Sequence, residues 1–216
     1  MAQFSQANID FVIQASPSNW MHYANELKTS LDILWKENNS ALILNYKSSS
    51  NLISKKKSIS RPWLLLASFV IENLFKGLLI EENPEYISNG RLSRRVTHHR
   101  LNEIAGEISD LELSESEIEL VSVLQTCLPY WGRYPIPLTT EEIKEETFAS
   151  TNLHSKFEQL YYKLDLLLYD RIKNGWAGPH SFNSLGCLRT EYEELPENHE
   201  QMTIEELIDY RNSKSH

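Results

Sequence analysis

Cysteine is scarce in this chain: two among 216 residues, Cys127 and Cys187, with no Cys-x-x-Cys pair. That excludes a disulfide framework and a thiolate zinc knuckle, and leaves both as ordinary thiols. Glycine is also sparse, at seven residues. No glycine-rich phosphate loop, dinucleotide fingerprint or Gly-x-Ser-x-Gly elbow occurs. Basic charge is in deficit, giving a net charge of -9 and a pI near 5.3, which argues against broad, sequence-blind binding of nucleic acid. Long uncharged runs are missing too. The most apolar stretch, residues 62–80, is interrupted by Ser68, Glu72, Asn73 and Lys76 and falls short of the roughly 18 residues a membrane span needs. We therefore expect a buried helix there and no membrane partner. The N-terminus has neither a basic start nor an apolar cleavable core, so a cytoplasmic location is expected.

What is present is helical periodicity. Hydrophobic residues make up 41% of the chain, enough for one core. Ser16-Pro17 reads as an N-cap and first helical residue, followed by Trp20, Ala24, Leu27, Leu31 and Leu34 at alternating spacings of four and three. Between residues 38 and 60 the pattern weakens. Residues 41–44 extend this helix or start another, and the Ser- and Lys-rich remainder reads as a mobile, exposed connection. Arg61-Pro62 opens the central helix, apolar on nearly every face to Ile80, and Glu81-Glu-Asn-Pro84 ends it. A loop to Thr97 and a short helix over 98–108 follow.

Ser114-Glu-Ser-Glu117 matches a capping box, with Ile118, Val121, Leu124, Leu128 and Trp131 as the stripe of a helix that stops near Gly132. Pro135 and Pro137 fix an extended turn. Leu153, Phe157, Leu160, Leu164 and Leu168 mark a long helix ending at Asn174-Gly175. No strand alternation of useful length is evident. The expected architecture is all-α: one helical domain over 1–175 and a mostly irregular, acidic extension over 176–216 with a short helix around 203–210.

Two clusters carry chemistry. Glu72 and Lys76 stand four apart in the apolar helix, on one face, either as a structural ion pair or as the floor of a site. The loop beyond them carries Arg91, Arg94, Arg95, His98, His99 and Arg100. A histidine there exchanges protons near neutral pH, and a guanidinium binds phosphate and stabilises charge developing on it, which is the chemistry of metal-independent RNA cleavage. An exposed basic loop is the competing reading. The second cluster is Trp131, Arg133 and Tyr134 in the proline-fixed turn. It reads as a seal on the core or as a stacking and phosphate-binding surface for single-stranded RNA, to which Arg95 and Arg100 would add. The remaining histidines show no mutual ligand spacing, so neither metal nor cofactor is expected.

The segment Ala67-Ser-Phe-Val-Ile-Glu72-Asn-Leu-Phe-Lys76-Gly-Leu-Leu, followed by Thr97-His-His99-Arg-Leu101, resembles the core of the HEPN superfamily: a helix with Glu and Lys four apart, then a His-x-Leu helix start. The resemblance spans roughly residues 60–130 and implies a HEPN-like bundle. Many HEPN proteins are ribonucleases with an Arg-x4-6-His motif, so it further implies a catalytic pair. Arg94 and His99 fit with four intervening residues, and Arg91 and His98 with six; Leu101 favours His99. Arg95 stands where the family usually has Asn or a similar side chain after the arginine.

The resemblance also implies a homodimer whose two motifs form one cleft, a role in toxin or antiviral defence, and an antitoxin or defence-system protein as partner. The alternative is a catalytically silent helical interaction or sensor subunit. A third reading is a nucleotide-binding partner of a nucleotidyltransferase, with Arg91, Arg94 and Arg95 on phosphates.

Overall fold

The computed structural model describes residues 6–37, 42–48, 51–57, 59–131, 140–142 and 148–187, and positions 189, 196, 198, 201–203, 206, 207, 209, 210 and 213 beyond them. It is mostly helical. α1 (Gln6–Gln14), which the sequence pattern did not reveal, precedes α2 (Pro17–Lys36), where Pro17 opens the helix as expected. Two strands follow, β1 (Leu42–Ser48) and β2 (Asn51–Lys57), and then α3 (Ser60–Glu82).

The strands correct the sequence reading of this stretch as helix extension and loop. β1 and β2 form an antiparallel hairpin that sets Leu42, Ile43 and Leu44 opposite Lys57, Lys56 and Lys55, with register shifts around Tyr46. The apolar and aromatic run of β1 has strand propensity, but in its partner only Ile53 does, and the Lys55–Lys57 half has little of its own. Cross-strand pairing supplies what local sequence does not.

α3 is the axis of the molecule. Every residue from Val70 to Ile80 is buried, and α2, α5 (Leu101–Glu107), α6 (Glu115–Thr126) and α7 (Thr151–Ile172) pack around it. By length and composition α3 is apolar enough to cross a membrane, but 83% of its most apolar window is buried within the protein. Gly77 explains one crossing: a Cβ there would stand 2.7 Å from Leu168 Cδ2 and 3.3 Å from Trp20 Cβ, so the missing side chain lets α2 and α7 approach α3 together. Ser68, fully buried, lies 2.7 Å from the Leu64 carbonyl and 2.8 Å from that of Leu124 on α6.

Beyond α3, Asn89 and Gly90 both take positive φ and turn a two-residue hairpin, β3 (Ile87–Ser88) with β4 (Arg91–Leu92). α4 (Arg94–Thr97), capped by Ser93 on the Arg95 N–H, occupies what the sequence suggested was loop. Ser114 and Glu117 form the expected capping box of α6. Its stripe differs in one place: Ile118 is 47% exposed, and Leu120 is buried instead. After Thr126 the helix widens into a π turn, Cys127–Trp131, where Pro129 lacks the N–H an α-helical turn needs. α7 ends as anticipated, with Gly175 at φ 104°.

Part of the acidic C-terminal stretch packs on the bundle. Trp176 is buried and donates its indole N–H to the Glu81 carbonyl, and Arg189 grips the fully buried Asp165 at 2.7 and 2.8 Å. Thr203 and Glu206 form a reciprocal cap in the short helical piece expected there.

Candidate functional site

The central polar pair of α3 is an ion pair, and it has a third member. Glu72 Oε1 accepts from Lys76 Nζ at 2.6 Å, and His99 Nδ1 lies 2.7 Å from the same oxygen. Glu72 and Lys76 side chains are 4% and 8% exposed, whereas His99 is 47% exposed. The chain of contacts thus runs from a buried helix face to the surface. Trp20 of α2, which the sequence placed only in a core stripe, lies with its ring 5.9 Å from Lys76 Nζ and covers the ammonium.

Local structure fixes where His99 stands. Val96 at the end of α4 and Leu101 at the start of α5 are both fully buried. They anchor the intervening turn, His98-His99-Arg100, at each end. Asn102 secures α5 further: its N–H donates to Gln125 Oε1 at 3.0 Å, and its side-chain amide lies 3.1 Å from Ser122 Oγ. Because a carboxylate only accepts, His99 donates from Nδ1, and its lone pair falls on Nε2, which has no hydrogen-bond partner among the described residues. His98 is placed differently. Its Nδ1 accepts the Arg100 N–H at 3.2 Å, and burial together with the Arg100 charge holds its pKa below the usual histidine value. Only one of the two histidines therefore reaches the Glu72 carboxylate.

The four loop arginines also divide. Arg95 pairs with Glu107 at 3.0 Å and Arg100 with Glu103 at 3.0 Å, both exposed contacts of the kind that contribute little. Arg91 and Arg94 are exposed and make no side-chain hydrogen bond or ion pair among the described residues. A phosphate approaching the loop meets two unengaged guanidinium groups and two already balanced by acids. Arg133 and Tyr134 lie outside the described residues, as does the side chain of Trp131; only the backbone of Trp131, closing the π turn, is described.

Chemically, a buried carboxylate that orients a half-exposed imidazole, with an arginine nearby in the chain, provides a proton-transfer group and an anion ligand. The sequence signalled Glu72, Lys76 and His99 separately. That they form one chain of contacts follows from the α3–α5 packing, which periodicity does not encode. Comparison of the chain with protein-family models, with curated proteins and with solved structures finds no match.

Proposed function

We propose that the protein is a HEPN-like, metal-independent endoribonuclease, with His99 as the proton-transfer group and Arg94 as the phosphate ligand. The observation that carries this reading is the 2.7 Å contact between His99 Nδ1 and the buried Glu72, which leaves Nε2 available on a half-exposed ring. In cleavage, Nε2 takes the proton of a ribose 2′-hydroxyl or, as the imidazolium, returns one to the leaving 5′ oxygen. The Arg94 guanidinium offsets the charge that gathers on the phosphate oxygens. Glu72 acts through His99: it fixes tautomer and ring direction, as the aspartate does in a hydrolase triad.

The resemblance to HEPN proteins adds that two copies would contribute to one cleft and that the cleavage would serve toxin or antiviral defence, alongside a protein partner that restrains or triggers it. The net charge of -9 fits an enzyme that engages RNA through a local basic loop better than one that coats it. The same acidity is what favours the second reading, a silent interaction or sensor subunit.

Cleavage of labelled total RNA in EDTA, across a series of protein concentrations, separates the two. Wild type cleaves, with a rate per chain that rises with concentration if two copies make the cleft. His99→Ala loses about 100-fold or more of the rate, the usual contribution of general acid–base catalysis, while helicity is kept. Equal cleavage by His99→Ala removes the assignment, and no cleavage by wild type at any concentration leaves the interaction subunit.

A further inference from the structure

The turn of α2 that carries Lys28 and Asp32 faces the first turns of α7, and there His154 and Glu158 complete a second cluster of titratable groups. Its two halves, Lys28 and Asp32 on α2 and His154 and Glu158 on α7, lie more than a hundred positions apart in the chain. The donor atoms of Asp32, His154 and Glu158 all lie within 4.8 Å of one another. His154 Nε2 and Glu158 Oε1 stand 3.5 Å apart. Two ligand atoms on a tetrahedral zinc ion, with bonds of roughly 2.1 Å, are separated by about 3.4 Å. The two α7 side chains already hold that spacing.

We propose that Asp32, His154 and Glu158 form a site for a divalent cation of the zinc class, which clamps α2 to α7 and competes with the ammonium of Lys28 for the same carboxylates. Four observations converge on it. First, the cluster already holds a cation in this position: Lys28 Nζ lies 2.6 Å from Asp32 Oδ1 and 3.2 Å from Glu158 Oε2. Second, the charges do not balance with that cation. The two carboxylates of Asp32 and Glu158 face the single ammonium of Lys28. A divalent ion in place of the ammonium brings the sum to zero.

Third, Glu158 Oε1 is buried and has no hydrogen-bond partner among the described residues, an acceptor that costs free energy as it stands and that a metal would take. Fourth, the imidazole is held for coordination. Its ring stacks on Trp35 with centroids 4.1 Å apart and planes 16° from parallel, and Trp63 packs on it at 5.8 Å. The donor set of one imidazole and two carboxylates suits zinc, with a water in the fourth position. Lys28 would then swing out past the Tyr161 ring, which its Nζ now overlies at 5.0 Å.

The site is separate from the His99 cluster. Trp20, which covers Lys76, and Asp32 are twelve residues apart on α2, about 18 Å along a helix. Zinc here therefore acts on stability, and the inference does not depend on ribonuclease activity.

Titration of the purified full-length protein with zinc chloride, followed by calorimetry and by thermal unfolding, tests it in wild type, Lys28→Met and His154→Phe. The phenylalanine keeps the stacking ring and removes the ligand nitrogen, so a fold defect and a lost ligand are distinguishable by circular dichroism. Expected are one saturable site per chain in wild type with a raised Tm, binding about tenfold tighter in Lys28→Met, and binding about tenfold or more weaker in His154→Phe. Absence of saturable binding in both wild type and Lys28→Met overturns the proposal, as does undiminished binding in a folded His154→Phe protein.

Discussion

The Glu72–Lys76 pair allows a sharp test of how the α3 core tolerates charge. Replacing Glu72 with Met keeps a similar volume and a comparable helix propensity, so the main change is electrostatic. Lys76 then retains an ammonium that is 8% exposed and has lost a partner 2.6 Å away, with the Trp20 ring as its remaining cover. Breaking one half of a buried pair in this way costs about 3–5 kcal/mol. His99 loses the same acceptor, but at 47% exposure water replaces it, adding about 1 kcal/mol at most.

For a chain of this size, a loss of about 3 kcal/mol corresponds to a fall in Tm of roughly 10 °C. Lys76→Met should cost somewhat less, because Glu72, though left buried and charged, keeps the His99 Nδ1–H at 2.7 Å. The double variant, which buries neither charge, should return to within about 1 kcal/mol of wild type or exceed it, because the desolvation penalty vanishes with the attraction that offset it. Urea denaturation of the four proteins closes the double-mutant cycle. A double variant as unstable as the sum of the singles, or a single that costs under about 1 kcal/mol, would mean that Glu72 and Lys76 are not a desolvated pair.

Two further outcomes follow from geometry already described. Gly77→Ala gains helix propensity but drives a methyl to 2.7 Å from Leu168 Cδ2 in a packed core, so we expect a net loss of about 1–2 kcal/mol in urea midpoint experiments; a gain in stability would mean Leu168 has room to turn away. Glu117 gives an acid limb. Burial pushes its carboxyl up, but the Ser114 N–H and Lys163 outweigh that and hold its folded pKa below the ordinary 4.5. The stability this supplies is complete above 4.5 and is lost as pH falls through the lower folded value, so Glu117→Gln should flatten the decline in unfolding free energy as pH falls below 4.5. Parallel wild-type and variant curves would remove Glu117 from the account.

Features set by neighbours in sequence were legible. The Ser114–Glu117 box, Pro17 at the start of α2, and the apolar faces of α3 and α7 each depend on spacings of three or four residues, and the structure has them. What depends on distant partners was not. β2 is a lysine-rich segment that becomes a strand through its pairing with β1. α4 and the Asn89-Gly90 hairpin hide in a stretch too short for periodicity, although the Asn-Gly pair was a signal in its own right. At the candidate site, residue types and the central helix were readable. His99 was preferred over His98 on sequence because Leu101 follows it, but its contact with the Glu72 carboxylate, and the pairing of Arg95 and Arg100 with acids, required three dimensions. The Asp32, His154 and Glu158 group left no local trace at all beyond an i, i+4 pair.

The π turn and the buried serine of α3 belong together. The Leu124 carbonyl, in the last turn of α6 before the π turn, takes the Cys127 N–H and is reached as well by the Ser68 hydroxyl from the neighbouring helix, while Pro129 brings no N–H to the carbonyls behind it. A side chain of the central helix thus pins the turn at which α6 leaves regular geometry. Without it, the end of α6 would be held on α3 by apolar packing alone, which fixes distance but not rotation about the helix axis.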